Sequence, residues 1–133
     1  MLSVLSWKSL SQVRERVDVK VEVLYFKGCP NHQPVVEQVR QVLRSEQINV
    51  PVDEVEVTDA TMAQRVRFLG SPSIRIDGLD VEPEARGLQT FGFGCRTYSD
   101  AEGRRSGLPS ISTIQRALTE ASTYHAASAS TPS

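Results

Sequence analysis

The stretch Val21 to His32, VEVLYFKGCPNH, decides how the rest of the chain is read. Its β-branched and aromatic residues form a short apolar run that stops at Gly28, which predicts a buried strand entering a turn. Beyond it, Val35, Val36, Val39, Val42 and Leu43 fall at i, i+1, i+4, i+7 and i+8, the spacing of one helix face. Cys29 therefore stands between the end of a strand and the start of a helix. Such a junction offers unpaired backbone N–H groups and a partial positive charge, and both favour a thiolate. Two helix starts are open. With Cys29 as N-cap, Pro34 falls in the second turn, where its missing N–H removes a hydrogen bond. With Gln33 as N-cap, Pro34 takes the favoured first position and Cys29 lies in the preceding loop.

At 133 residues, 39% hydrophobic and 23% charged, the chain is long enough for one domain with a core and too short for two ordinary ones. Its 15 basic and 16 acidic residues, net −1, give no general attraction for nucleic acid or an anionic membrane. The apolar runs fall far short of the about 20 residues of a membrane helix. The opening MLSVLSWKSLSQVRER, interrupted at Lys8, lacks the layout of a secretory signal. The expectation is a cytoplasmic protein with neither nucleic acid nor membrane as partner, and no cofactor is indicated. Two cysteines, Cys29 and Cys95, are too few for a secreted disulfide framework, and neither belongs to a C-x-x-C pair.

Along the chain, residues 1–18 carry Val4, Leu5, Trp7, Leu10 and Val13 at weakly helical spacing and form an N-terminal extension. Residues 19–121 form the domain, and the small, polar residues 122–133 are expected to be a disordered tail. Within the domain, Val52 to Val57 alternates as a half-buried strand does. Asp59 is a candidate N-cap for a helical stripe of Met62, Ala63, Val66 and Leu69, with Gly70 as its stop. Ser73 to Ile76 predicts a third strand, ended by an Asp77-Gly78 turn. The long stretch Asp80 to Gly94 is expected to be a functional or disordered loop. Cys95 to Tyr98 is expected as the fourth strand. A last helix begins near Pro109 or Ser110 and presents Ile111, Ile114, Ala117 and Leu118 to the core. The order β-α-β-α-β-β-α describes an α/β fold with a mixed central sheet flanked by helices.

A strand ending in GCP, a Gly-Ser-Pro-Ser before a strand and this element order together resemble the thioredoxin superfamily over residues 19–121. More narrowly, YFKGCPNH, FLGSPSIRIDG, GCRTY and GLPSISTIQRAL are similar to a family of small bacterial thioredoxin-like proteins, some of them labelled as related to alkylmercury lyases. From the residues alone Pro72 is an ordinary trans turn proline, since only about 5–6% of X–Pro bonds are cis. The resemblance reverses that expectation. It implies a cis Ser71–Pro72 bond facing Cys29, with the preceding backbone N–H and C=O left to pair with an extended substrate chain. Ser71, Pro72, Pro30 and Asn31 are then the expected substrate-binding residues. The sequence departs from the superfamily at His32, which stands where thioredoxins carry a second cysteine, so dithiol exchange within the C-P-N-H motif is closed.

Several readings stay open for the candidate residues. Cys29 is a nucleophile or soft-metal ligand, or a cysteine that the fold retains without using. His32 either forms an ion pair with the thiolate, lowering the thiol pKa, or faces solvent in a first turn whose dipole disfavours imidazolium. Cys95 is a buried strand residue, or a resolving thiol or second metal ligand, with Gly92 and Gly94 allowing close backbone approach. Arg75, Arg96, Arg104 and Arg105 are a basic rim for an anionic substrate or a solvated face. The expected function is a monothiol protein in which Cys29 exchanges with a protein or low-molecular-weight thiol or disulfide, and Cys95 or an external thiol resolves the adduct. The alternatives are soft-metal binding, as of mercury, by Cys29 and Cys95, a non-catalytic binding module, and a structural homodimer paired through an edge strand.

Overall fold

β1, Val21–Tyr25, is the centre of a four-stranded sheet in the order β2-β1-β3-β4. The computed structural model describes residues 19–100 and 102–130; the expected N-terminal extension lies outside them. The remaining elements are α1 (His32–Ser45), β2 (Val52–Glu56), α2 (Ala60–Arg65), β3 (Ser73–Ile76), β4 (Leu79–Asp80), a 3₁₀ turn at Pro83–Ala85, β5 (Tyr98–Ser99), β6 (Arg105–Ser106) and α3 (Ile111–Ser130). β1 pairs in parallel with β2, as the helical crossover through α1 requires, and antiparallel with β3.

β1 is apolar almost throughout because both of its faces are covered. Val21 and Val23 face the cluster built by Val35, Val36, Val39, Val42 and Leu43 of α1, Ile74 and Ile76 of β3, and Ile114, Ala117 and Leu118 of α3. Leu24 faces the other way, toward Val57, Ala63 and Phe68 around α2. Each such side chain contributes about 1.5–3 kcal/mol when fully buried, so the sheet is fixed from both sides. The five predicted core residues of α1 are all buried. In α3, by contrast, Ile111 is exposed, because it begins the helix at the rim, one turn before the buried Ile114.

One strand expectation is corrected. Asp77 and Gly78 both take positive φ, 54° and 82°, which suits a two-residue hairpin turn. The chain therefore folds straight back, and the fourth sheet strand is Leu79–Asp80, with Ile76 opposite Leu79. Cys95 to Tyr98 is not that strand: Cys95 makes one isolated bridge, and Tyr98–Ser99 pairs with β6 in a separate ribbon. The expected N-cap Asp59 does accept from the Met62 N–H at 2.8 Å. α2 nevertheless ends at Arg65 with Arg67 at φ 59°, so Gly70 is not its stop. α3 continues to Ser130, into the expected tail, whose residues 131–133 lie outside those described.

A surface clamp joins the irregular stretch to α3. Arg86 donates to both carboxylate oxygens of Glu120, at 2.8 and 2.9 Å, and to the Asp80 carbonyl at 2.8 Å. Those hydrogen bonds hold the Glu120 carboxyl below its ordinary range. Because the folded carboxyl titrates lower than in the unfolded chain, the stabilisation is complete above the ordinary glutamate range and is lost as pH falls through the folded value. Glu120→Gln is expected to lower stability at neutral pH by about 0.2–1 kcal/mol, the range of screened surface pairs. In urea titrations the gap between variant and wild type should close on acidification.

Candidate functional site

Where β1 leaves the sheet, Gly28 at φ 87° lets the chain turn. Cys29 N–H donates to the Phe26 carbonyl at 3.2 Å and the His32 N–H donates to the Cys29 carbonyl at 3.3 Å. The N-cap is Asn31, so neither expected helix start is observed. Pro34 is the third residue of α1, where an N–H would have no partner within the helix. Cys29 sits in the turn before the helix, half-buried, with Pro30 exposed beside it. Asn31 does not cap the helix with its side chain. It packs instead on the loop after β6, where a Cβ on Gly107 would fall 2.9 Å from Asn31 Cγ.

His32 is held elsewhere than at the thiol. Its ring stacks on Tyr25, 3.6 Å between centroids and 7° from parallel, and Nε2 donates to Glu54 Oε1 at 2.7 Å. Glu54 receives Arg40 on its other oxygen at 3.5 Å. Among the described residues no hydrogen bond joins the His32 ring to the Cys29 thiol. The expected thiolate–imidazolium pair is thus corrected: the first position of α1 directs the ring toward the β2 side, where a carboxylate and an aromatic face take it. Tyr25 and Glu54 carry no motif that would single them out in the sequence.

The second half of the site is the segment before β3. The Ser71–Pro72 bond is cis. Ser71 Oγ accepts from the Phe26 N–H at 3.2 Å, which fastens this segment to the end of β1 just ahead of Cys29. The Ser71 backbone is not open, however. Its N–H donates to the Gly94 carbonyl at 2.8 Å and its carbonyl accepts from the Arg96 N–H at 3.0 Å. Ser71 and Pro72 are both buried, so the expected substrate-pairing surface is already covered by the chain's own residues.

These bonds form a parallel bridge between Ser71 and Cys95. Residues bridged in this way send their side chains to the same side of the pair, and Ser71 directs its hydroxyl at Phe26. The Phe93 ring, from the same segment, lies 5.2 Å from the Phe26 ring. Both cysteine-bearing segments therefore meet at the end of β1, and both thiols are free. Cys95 is exposed, which corrects the expectation of a buried strand residue. Among the described residues its one β-bridge is to Ser71.

A buried polar network anchors this arrangement. The Arg96 guanidinium meets Asp80 through two hydrogen bonds, at 2.5 and 2.7 Å, and reaches Glu82 at 3.3 Å and Ser73 Oγ at 3.3 Å. It also lies 4.3 Å over the Tyr98 ring, while the Tyr98 hydroxyl donates to the Pro72 carbonyl at 2.6 Å. Burial works against the Arg96 charge, but the hydrogen bonds and charges of Asp80 and its neighbours outweigh it, and the guanidinium is held firmly protonated. Burial pushes the Tyr98 phenol well above its ordinary range, so it remains a donor.

The other three arginines are likewise engaged, and the basic rim is corrected. Arg75 donates to the Val66 and Arg67 carbonyls at the end of α2. Arg104 pairs with Asp100 and Glu102. Arg105 bonds to Thr97 and Ser99. Among the described residues there is no cluster of three or more His, Cys, Asp or Glu able to hold a metal ion, and no helix is long and apolar enough to cross a membrane. No protein-family model, curated protein or solved structure matches the chain.

Two substitutions test this geometry. Gly70 has φ 121°, and a Cβ there would fall 3.1 Å from both Arg96 Cβ and the Gly94 carbonyl oxygen. Gly70→Ala is expected to destabilise by about 1–3 kcal/mol, the usual cost of such a strained position. Arg96→Met leaves the buried Asp80 carboxylate without its partner and is expected to cost about 3–5 kcal/mol. Urea unfolding followed by tryptophan-independent circular dichroism measures both.

Proposed function

We propose that the chain is a thioredoxin-like thiol–disulfide exchange protein in which Cys29 is the attacking thiol and Cys95 the resolving one. In most dithiol sites the two sulfurs share one motif; here the second would come from a separate segment. The observation that carries this reading is the Ser71–Cys95 bridge, together with the Ser71 hydroxyl bond to Phe26. Those contacts bring the two cysteine segments to one strand end. The cis bond before β3 and the turn holding Cys29 at the end of β1 agree with the resemblance in the sequence.

The chemistry balances without any cofactor. The Cys29 thiolate attacks one sulfur of a disulfide R–S–S–R, the S–S bond breaks, and R–S⁻ departs and takes a proton. The Cys95 thiolate then attacks the Cys29 sulfur of the mixed disulfide and releases the second R–S⁻. The disulfide is reduced to two thiols and the two cysteines are oxidised to one internal disulfide, which an excess of thiol reverses. Cys29 is assigned as the entering residue because it stands in the turn between β1 and α1, where the resemblance places the reactive cysteine, and the exposed Cys95 is left to resolve the adduct.

Glutathione disulfide provides the test, with products read by intact mass. The wild type is expected to lose two hydrogens and retain no glutathione, while Cys95→Ser stops with one glutathione on Cys29. Cys29→Ser is expected to react no faster than an ordinary exposed cysteine. A wild type that keeps the glutathione, as Cys95→Ser does, would remove Cys95 from the mechanism. Equal rates for Cys29→Ser and the wild type would remove Cys29.

A further inference from the structure

An extended polypeptide docks on a sheet edge through main-chain hydrogen bonds, so it needs a backbone N–H and C=O that are open to it. At the end of β1 that leads into Cys29, the residue tied there and in place to offer them is Ser71. Both of its groups are taken, by Gly94 and Arg96 of the same chain.

The occupying segment is not loosely laid down. Gly92 N–H donates to the Phe68 carbonyl at 3.0 Å, Gln64 Nε2 donates to the Phe91 carbonyl at 2.7 Å, and Phe93 rests against Phe26. Immediately after Cys95, the Arg96 side chain is buried in its pair with Asp80. Displacing residues 94–96 from Ser71 would pull on that guanidinium, and a buried carboxylate left without its counter-charge is strongly unfavourable. The two thiols, by contrast, need no such displacement to be reached, because Cys95 is exposed and Cys29 half-buried.

From this occupancy we infer that the substrate is a low-molecular-weight disulfide, and that extended polypeptides are shut out by the chain's own Gly94–Arg96 segment. The inference rests on the thiol-exchange reading and narrows it to a substrate class. A small disulfide presents its S–S bond without asking for main-chain pairing. A polypeptide disulfide would gain nothing from its backbone, since the edge that would bind it is filled.

The test is a series of mixed disulfides with 2-mercaptoethanol as the common leaving group, carried by cysteine within peptides of increasing length, and compared with bis(2-hydroxyethyl) disulfide. Release of 2-mercaptoethanol by the wild-type protein is followed under pseudo-first-order conditions. The expected result is a rate that exceeds that of an ordinary free cysteine for the small disulfide and does not rise with peptide length. A rate that climbs severalfold with length and saturates with peptide concentration would overturn the inference while leaving the thiol-exchange reading intact. Rates no higher than free cysteine for every compound would instead overturn the thiol-exchange reading, and the inference with it. In Arg96→Leu, which removes the anchor, a rise with peptide length is expected to appear. A folded Arg96→Leu protein whose rate stays flat would assign the exclusion to something other than the bound segment and overturn the inference. Should that variant fail to fold, the wild-type series decides alone.

Discussion

The pairing of Arg96 with Asp80 beneath Ser71 and Pro72 is the interaction on which the site depends. Both side chains are nearly inaccessible, 6% and 5% exposed, and a buried ion pair of this kind adds little net stability over a well-packed apolar pair. What it contributes is position. A guanidinium that must meet a carboxylate in the β4 hairpin fixes where residues 94–96 run. Once they run there, they lie in backbone register with Ser71. Tyr98 completes the constraint from the other side by holding the Pro72 carbonyl. The long irregular stretch thereby becomes a strap with defined ends, although it has almost no secondary structure of its own.

The parts of the fold that were legible in the sequence are those set by short-range periodicity. The α1 stripe, the β1 run, the Asp59 cap and the Asp77-Gly78 turn each depend on residues within a few positions of one another, and each is found as the pattern implies. The fourth strand is hidden from the sequence for a physical reason. A two-residue turn leaves room for a strand at once, but Leu79–Asp80 is too short to show any alternation. Cys95 to Tyr98 is the more visible candidate. Gly70 has the sequence position of a helix stop, yet its lack of a side chain serves the close approach of Arg96 and Gly94 instead.

The site was legible in its residues and not in their partners. Cys29 and the Ser71–Pro72 pair stand out by motif. The groups that decide what they can do, Glu54 for His32 and Gly94 and Arg96 for Ser71, come from distant parts of the chain and carry no local signature. Cys95 illustrates the cost most plainly. Strand-like neighbours suggest burial, whereas the residue forms an isolated bridge outside the sheet's strands and is exposed. Of its two readings, buried strand residue and resolving thiol, the exposure agrees with the second.

If the strap is as firmly seated as these contacts require, the Ser71 and Arg96 amide protons exchange with solvent only when the sheet itself opens. Residue-resolved hydrogen exchange on the reduced, native protein reads this directly. The account predicts protection of both amides comparable to that of the β1 and β3 amides. Exchange as fast as that of the exposed loop residues Gln89 and Thr90 would show an open Ser71 edge and contradict it.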